Sequence, residues 1–336
     1  MKNAITVAGN LTVDIIKYID HYPACQALTD ITGIDRATGG LCCNVALTLA
    51  KLAPELPIRV IGLLGDDEAG DYIMTQFTAH PSIDTAGLRR LGATSYTDVM
   101  TEKDTGKRTF FHYRGANALL DAAHFDFERM ETDILHIGYI LLLDSLDVPD
   151  PAGIYPSAMC GLLAKAQSFG IRTSIDVVSA EGGRYSELVP PALRFTDYCC
   201  INEYEAAAIT GIKLRDGAGA VLRAHLRPAC HALMEMGVAH WAVIHMPELS
   251  CGLARDGDYV ELPSWKLTPG FLKSSVGAGD AFAAGVLYGA YHEKSLAKSL
   301  RIAGAIAAYS LSGAGASDAV IPLPELLTRM EAFQAL

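Results

Sequence analysis

Gly277-Ala278-Gly279-Asp280 sets three small residues and a carboxylate between a polar stretch, Ser274-Ser275, and an apolar run. Small residues let a ligand approach the backbone, and glycine accepts dihedrals that other residues resist. The run after Asp280 carries Ala281, Phe282, Ala283, Ala284, Val286 and Leu287, which predicts a helix apolar on two faces and so largely buried. The start of such a helix offers unpaired amides, a ready site for phosphate oxygens. A carboxylate beside them can take a proton while the amides stabilise charge on a transferring phosphoryl group. The same four residues also read as an ordinary helix start, with Asp280 as a cap and the glycines as a tight loop.

Other polar residues stand where a ligand could use them. An apolar strand at residues 4–8 ends in Gly9-Asn10, with Asp14 just beyond. Open α/β sheets place ligands past such strand ends. Gly39 and Gly40 precede an apolar helix that Pro54 stops, and Asn44 lies one turn into it. An asparagine there can both donate to and accept from hydroxyls. Asp176 sits inside an otherwise apolar strand and needs a partner, for which Arg184 is available. Arg114 follows a hairpin and suits either an anionic ligand group or a surface ion pair. Asn202 and Glu205 share the first turn of a helix, the spacing of a capping box.

The segment Ser274 to Phe282 resembles the C-terminal signature of the ribokinase-like, or PfkB, carbohydrate kinase family, roughly Asp-Thr-x-Gly-Ala-Gly-Asp followed by a buried helix. The N-terminal signature, Gly-Gly-x-x-x-Asn, is matched by Gly39, Gly40 and Asn44, and the likeness runs over nearly the whole chain. The resemblance implies that Asp280 is the catalytic base. It implies that Gly277, Ala278 and Gly279 form the anion hole. Asn10, Asp14, Gly39, Gly40 and Asn44 would bind the acceptor, with Arg114 and Asp176 beside it. Asn202, Glu205, Gly277, Gly279 and Gly313 would serve the nucleotide, Glu205 organising magnesium through water. ATP and magnesium are the implied cofactors. Potassium is left open, because Ser274 stands where many members have an Asp that helps hold a monovalent cation. The loop His245-Met246-Pro247 also departs from the family's Thr-x-Gly-x-x-Gly, leaving nucleotide base preference open.

The elements that must position these residues are legible in outline. The chain has 336 residues, half of them hydrophobic, enough for one large α/β domain. From residue 134 onward strands and helices alternate regularly. Two irregular strand pairs, residues 15–37 and 95–113, predict a second, small sheet. The family carries such a β lid, which forms a dimer interface in several members. The expectation is therefore a single three-layer α/β/α domain over residues 1–336. Its central sheet is mostly parallel, and lid strands at about 11–37 and 95–114 are inserted in it.

The formal charge is −11 with no basic tract, which argues against a nucleic-acid partner. Eight cysteines form no CxxC pair and read as small buried hydrophobes. No apolar run is long enough for a bilayer and the opening MKNAITVAGN is no signal peptide, so a cytoplasmic protein with reduced thiols is expected. The activity expected is ATP-dependent phosphorylation of a primary hydroxyl on a sugar or sugar-like acceptor, by a homodimer through the lid. A nucleoside kinase and a non-catalytic sugar- or nucleotide-binding protein of the same fold are the alternatives. A Rossmann oxidoreductase is excluded, since residues 7–10 supply no Gly-x-Gly-x-x-Gly.

Overall fold

Short apolar strands flanked by helical segments bury themselves best in a sheet covered on both faces. The structure is a computed structural model and describes residues 3–179, 184–268, 270–313 and 315–335. It opens with β1 (Ala4–Gly9), β2 (Thr12–Ile19), β3 (Ile31–Gly39) and α1 (Leu41–Leu52). Next come β4 (Ile58–Leu64), α2 (Glu68–Thr78), β5 (Ile83–Arg90), β6 (Ser95–Glu102) and β7 (Arg108–Tyr113). Then follow β8 (Thr132–Ile140), α3 (Ala158–Ser168), β9 (Arg172–Val177), α4 (Tyr185–Leu193), β10 (Tyr198–Asn202) and α5 (Glu203–Thr210). After α6 (Arg223–Glu235) come β11 (Trp241–His245), β12 (Leu249–Ala254) and β13 (Tyr259–Pro263). The helices α7 (Ala278–Tyr291), α8 (Leu296–Ser310) and α9 (Leu323–Met330) complete the body.

One sheet has nine strands in the order β13-β12-β11-β10-β9-β8-β1-β4-β5. Neighbours from β11 to β5 run parallel, and β12 and β13 are antiparallel at one edge. Side chains alternate across it. Ile5 and Val7 of β1 join the core under α1 and α7, whereas Ala8 joins the core under α3 to α6. Helices thus cover both faces, giving the expected three layers. Strand order reverses at β1, which has β4 on one side and β8 on the other. Crevices outside strand ends at such a reversal are where open sheets bind ligands, and β1 ends at Gly9, with Asn10 next.

A second sheet has the order β3-β2-β6-β7, uniting the two expected strand pairs. β2 and β6 run parallel, and each pairs antiparallel with its outer neighbour. Alternation along β7 turns Arg108, Phe110 and His112 toward a cavity and Phe111 and Tyr113 away from it.

Several boundaries differ from expectation for identifiable reasons. Strand β3 starts at Ile31 rather than residue 28, and Leu28 is exposed. Helix α2 begins at Glu68, not at residue 71, because Asp67 caps it by accepting from the Gly70 amide. Asp67 also accepts from the Thr94 amide and hydroxyl, so it ties a loop together. Helix α3 starts at Ala158 behind a Ser157 cap rather than at residue 155. Helix α6 starts at Arg223, and Pro228 does not interrupt it. That ring lies on the solvent side, while Leu226, Ala229, Cys230 and Leu233 bury the opposite face and hold the helix. Seven of the eight cysteines are buried and Cys25 is exposed; all are free. No helix among the described residues is long and apolar enough to cross a membrane.

Candidate active site

The chemistry gathers where α1, α7 and the ends of β1, β8 and β9 converge. Asp280 is the third residue of α7 and is buried. Asn44, from the first turn of α1, donates Nδ2 to Asp280 Oδ2 at 2.7 Å. Tyr139, at the end of β8, donates its hydroxyl to Oδ1 and Oδ2 at 2.8 and 2.9 Å. Burial raises the Asp280 carboxyl above its usual range, and these hydrogen bonds pull it back toward the ionised form. Burial also pushes the Tyr139 phenol well up, so it remains a donor. Asn10 Oδ1 accepts from the Tyr139 amide at 2.6 Å. Asn10 Nδ2 and Asn44 Oδ1 are buried without a protein partner, although both residues line a cavity of about 690 Å³.

That cavity also takes Asp14, Thr97, Arg108 and Asp176 into its wall. Burial raises Asp14 to about 6, against a hydrogen bond with Thr97 that lowers it. Gly39 lies against the Asp14 carboxylate, and a Cβ there would collide with it. Gly40 has φ 79° and abuts the Asn10 carbonyl, which fixes the turn into α1. Asp176 is buried and accepts from the Val177 amide at 2.7 Å. Burial, then the charges of Glu205 and Asp280, hold its carboxyl well above the usual range.

A second cavity, about 680 Å³, is lined mostly by apolar groups such as Met246, Leu249, Leu262 and Ala307. Pro247 belongs to its wall, in the tight β11–β12 turn that replaces the expected glycine-rich loop. The two cavities share Asn202, His245, Ser275, Ala278 and Gly279. They therefore meet on the first turn of α7, one residue before Asp280. The amides of that turn lack intrahelical partners, and the Ala278 amide makes only a long 3.4 Å contact to the Ser275 carbonyl. Gly277 caps the helix at φ 71°, where a Cβ would strike Ala316. His245 packs under Gly279 and on Phe282, and burial lowers its pKa to about 4, so it is neutral.

Asn202 and Glu205 form a reciprocal capping box at the start of α5. Glu205 Oε2 accepts from the Asn202 amide and Oε1 from Ser179 Oγ. Asn202 Nδ2 donates to the same Ser179 oxygen. Glu205 therefore stands behind Asn202 and Ser179, which line the first cavity, and burial raises it to about 7. No group of three or more His, Cys, Asp or Glu suited to a metal cage occurs among the described residues. Asp176 presents a hard oxygen to the cavity, which suits magnesium when phosphates and water complete its shell.

Three expected placements change. Arg114 does not line the cavity. It pairs with Asp144 and donates to the Leu141 carbonyl, because Gly115 (φ 48°) turns the chain away past the end of β7. Arg184 pairs with Glu187 and the Asp147 carbonyl rather than with Asp176. Gly313 sits in the turn after α8, outside the lining of both cavities, and Ala314 beside it lies outside the described residues. Tyr139, Arg108 and His245 are in the site without having been singled out. Position at a strand's carboxyl end is the signal that could have found Tyr139 and His245.

The profile of the pfkB family carbohydrate kinases matches residues 4–323. The chain belongs to the pfkB family. It is thus an ATP-dependent phosphotransferase of the sugar and nucleoside kinase kind. The 1-phosphofructokinase of Escherichia coli (strain K12) is 25% identical over 316 residues, covering 93% of this chain and 91% of that protein. A ribokinase from Thermotoga maritima superposes with a TM-score of 0.78 at 21% identity, over 98% of this chain and 99% of that one. A Burkholderia thailandensis nucleoside kinase, solved with inosine, gives 0.72 at 18% identity, over 98% and 96%. Solved chains of this fold thus include both a ribokinase and a nucleoside kinase.

Proposed function

We propose that the chain transfers the γ-phosphate of ATP to a primary hydroxyl of a sugar or sugar-like acceptor. The observation that carries this is the meeting of a polar and an apolar cavity on the α7 amides, with Asp280 on the polar side. The apolar cavity suits the nucleotide. The polar one offers hydrogen-bonding groups at close spacing: Asp14, Thr97, and the unpartnered atoms of Asn10 and Asn44. Sugar hydroxyls satisfy both donors and acceptors of that kind.

Asp280 takes the proton of the acceptor hydroxyl as it attacks in line. Asn44 and Tyr139 hold the carboxylate ionised and fix its rotamer. Tyr139 yields one of its two contacts to the incoming hydroxyl. The amides of Gly277, Ala278 and Gly279 stabilise charge on the transferred group. Asp176, with Glu205 acting through water, would hold a magnesium ion that neutralises phosphate charge. The second sheet serves as a lid, since Thr97, Arg108, Phe110 and His112 cover the acceptor cavity from it. Its outer face carries the exposed rings Tyr96, Phe111 and Tyr113, which fit the homodimer contact.

Coupled ADP release from ATP and magnesium, against sugars, sugar acids, sugar phosphates, polyols and nucleosides, tests the reading. Turnover with one carbohydrate class is expected. Turnover confined to nucleosides would replace the acceptor assignment, and none at all despite ATP binding would remove the transfer.

A further inference from the structure

Two cations of the chain itself reach the segments around the start of α7: Arg108 the loop before it, and Lys51 the turn after α8 that packs on Gly277. Arg108, at the start of β7, donates Nη1 to Ser274 Oγ at 3.1 Å across 166 residues of sequence. The Val276 amide donates to the same oxygen at 3.2 Å. Both lone pairs of that hydroxyl are thereby committed to donors. On the other side, Lys51 of α1 donates Nζ to the Ser317 carbonyl at 2.9 Å. Ser317 follows Ala316, the residue that abuts Gly277. The Ser274 and Lys273 amides both donate to the Leu311 carbonyl, which ties the segment before Gly277 to the end of α8.

A monovalent cation needs free oxygen ligands, and among the described residues the Ser274 hydroxyl and the Ser317 carbonyl are both taken. Ser274 lacks the charge of a carboxylate, its oxygen is occupied by donors, and the Ser317 carbonyl already takes an ammonium. We propose that Arg108 and Lys51 are built-in counterparts of that cation, and that Arg108 is a positioning residue linking the second sheet to the anion-binding turn of α7. Two consequences follow from the geometry. The protein works without a specific monovalent ion. With the second sheet over the cavity the guanidinium reaches Ser274, so the turn is braced in this covered state.

The catalytic part rests on the kinase reading of the site, but the ion part needs no turnover. ADP affinity is measured by titration calorimetry at equal ionic strength in potassium, sodium and tetramethylammonium chloride. Crystals of the full chain grown in rubidium chloride are read by anomalous scattering. Affinities equal within about twofold, and no rubidium beside Ser274 or Ser317, are expected. A potassium-specific gain of about tenfold (about 1.4 kcal/mol), or a rubidium ion at either residue, overturns the proposal. With the acceptor in hand, Arg108→Gln is expected to lower kcat about ten- to a hundredfold with little change in the KM for ATP. Arg108→Lys is expected to recover part of the loss. Unchanged kcat would overturn its positioning role, and a rise in acceptor KM alone would make Arg108 an acceptor-binding residue instead. A protein that turns over no acceptor yet binds ADP independently of potassium would refute the kinase reading and leave the ion assignment standing.

Discussion

At the scale of single residues, Asp14 ties the acceptor cavity to pH. Burial holds its carboxyl at about 6, above the 3.8 of a free aspartate. The folded state thus binds this proton more tightly than the unfolded chain. The group's contribution to stability is full below pH 3.8 and is lost as pH rises through about 6. In the proposed role of Asp14 as an acceptor ligand, binding runs the other way, because only the ionised carboxylate makes charge-assisted bonds from hydroxyls at both oxygens. We expect kcat/KM for the acceptor to fall as pH drops through about 6, and Asp14→Asn to abolish that limb while raising the acceptor KM. A pH profile of both proteins checks this; an unchanged limb in the variant would assign it to another group. Asn44 and Asp280 were legible from small residues and polar groups at motif spacing, and Asp14 from its place just beyond a strand end. Tyr139 was not, since an aromatic in an apolar strand reads as core. Arg108 stood only as a member of the second strand pair, residues 95–113. The period of a strand shows why Arg108 and not Arg114 faces the cavity: positions 108, 110 and 112 point inward, and 114 falls beyond the last pair.

At the scale of elements, the start of α7 is the feature everything else serves. Its cap, Gly277, needs a left-handed backbone and has no room for a side chain against Ala316. Gly277→Ala is expected to cost about 1–3 kcal/mol in strain and to lower kcat by displacing the amides. Urea unfolding together with turnover reads both; a variant as stable and active as the parent would show that the turn tolerates another conformation. The helix itself was legible, because a run of small apolar residues after Asp280 has no exposed face to spare. Boundaries elsewhere were less so. Asp67 and Ser157 start their helices through side-chain caps that compete with other turn readings. Pro228 survives inside α6 because tertiary burial of the opposite face outweighs one missing hydrogen bond.

At the scale of the molecule, the reversal of strand order at β1 brings together residues from positions 10 to 280. The alternation of strands and helices made the layers legible, and the irregular early segments marked the second sheet. How that sheet meets α7 was not legible, since a contact between Arg108 and Ser274 leaves no periodic trace. The chain's net charge of −11 opposes an anionic nucleotide, so attraction must be local, from the α7 amides and the cations around them. The proposed chemistry turns on Asp280 as the base at the junction of the two cavities. The direct test is Asp280→Asn, with turnover by coupled ADP release and ATP affinity by calorimetry. Asn44 can turn its amide so that Oδ1, otherwise without a partner, accepts from the new side chain. The variant should therefore fold and bind ATP as the parent does. With Asp280 as the base, kcat is expected to fall by about a thousandfold or more with ATP affinity nearly unchanged; parental turnover in the variant would contradict that role.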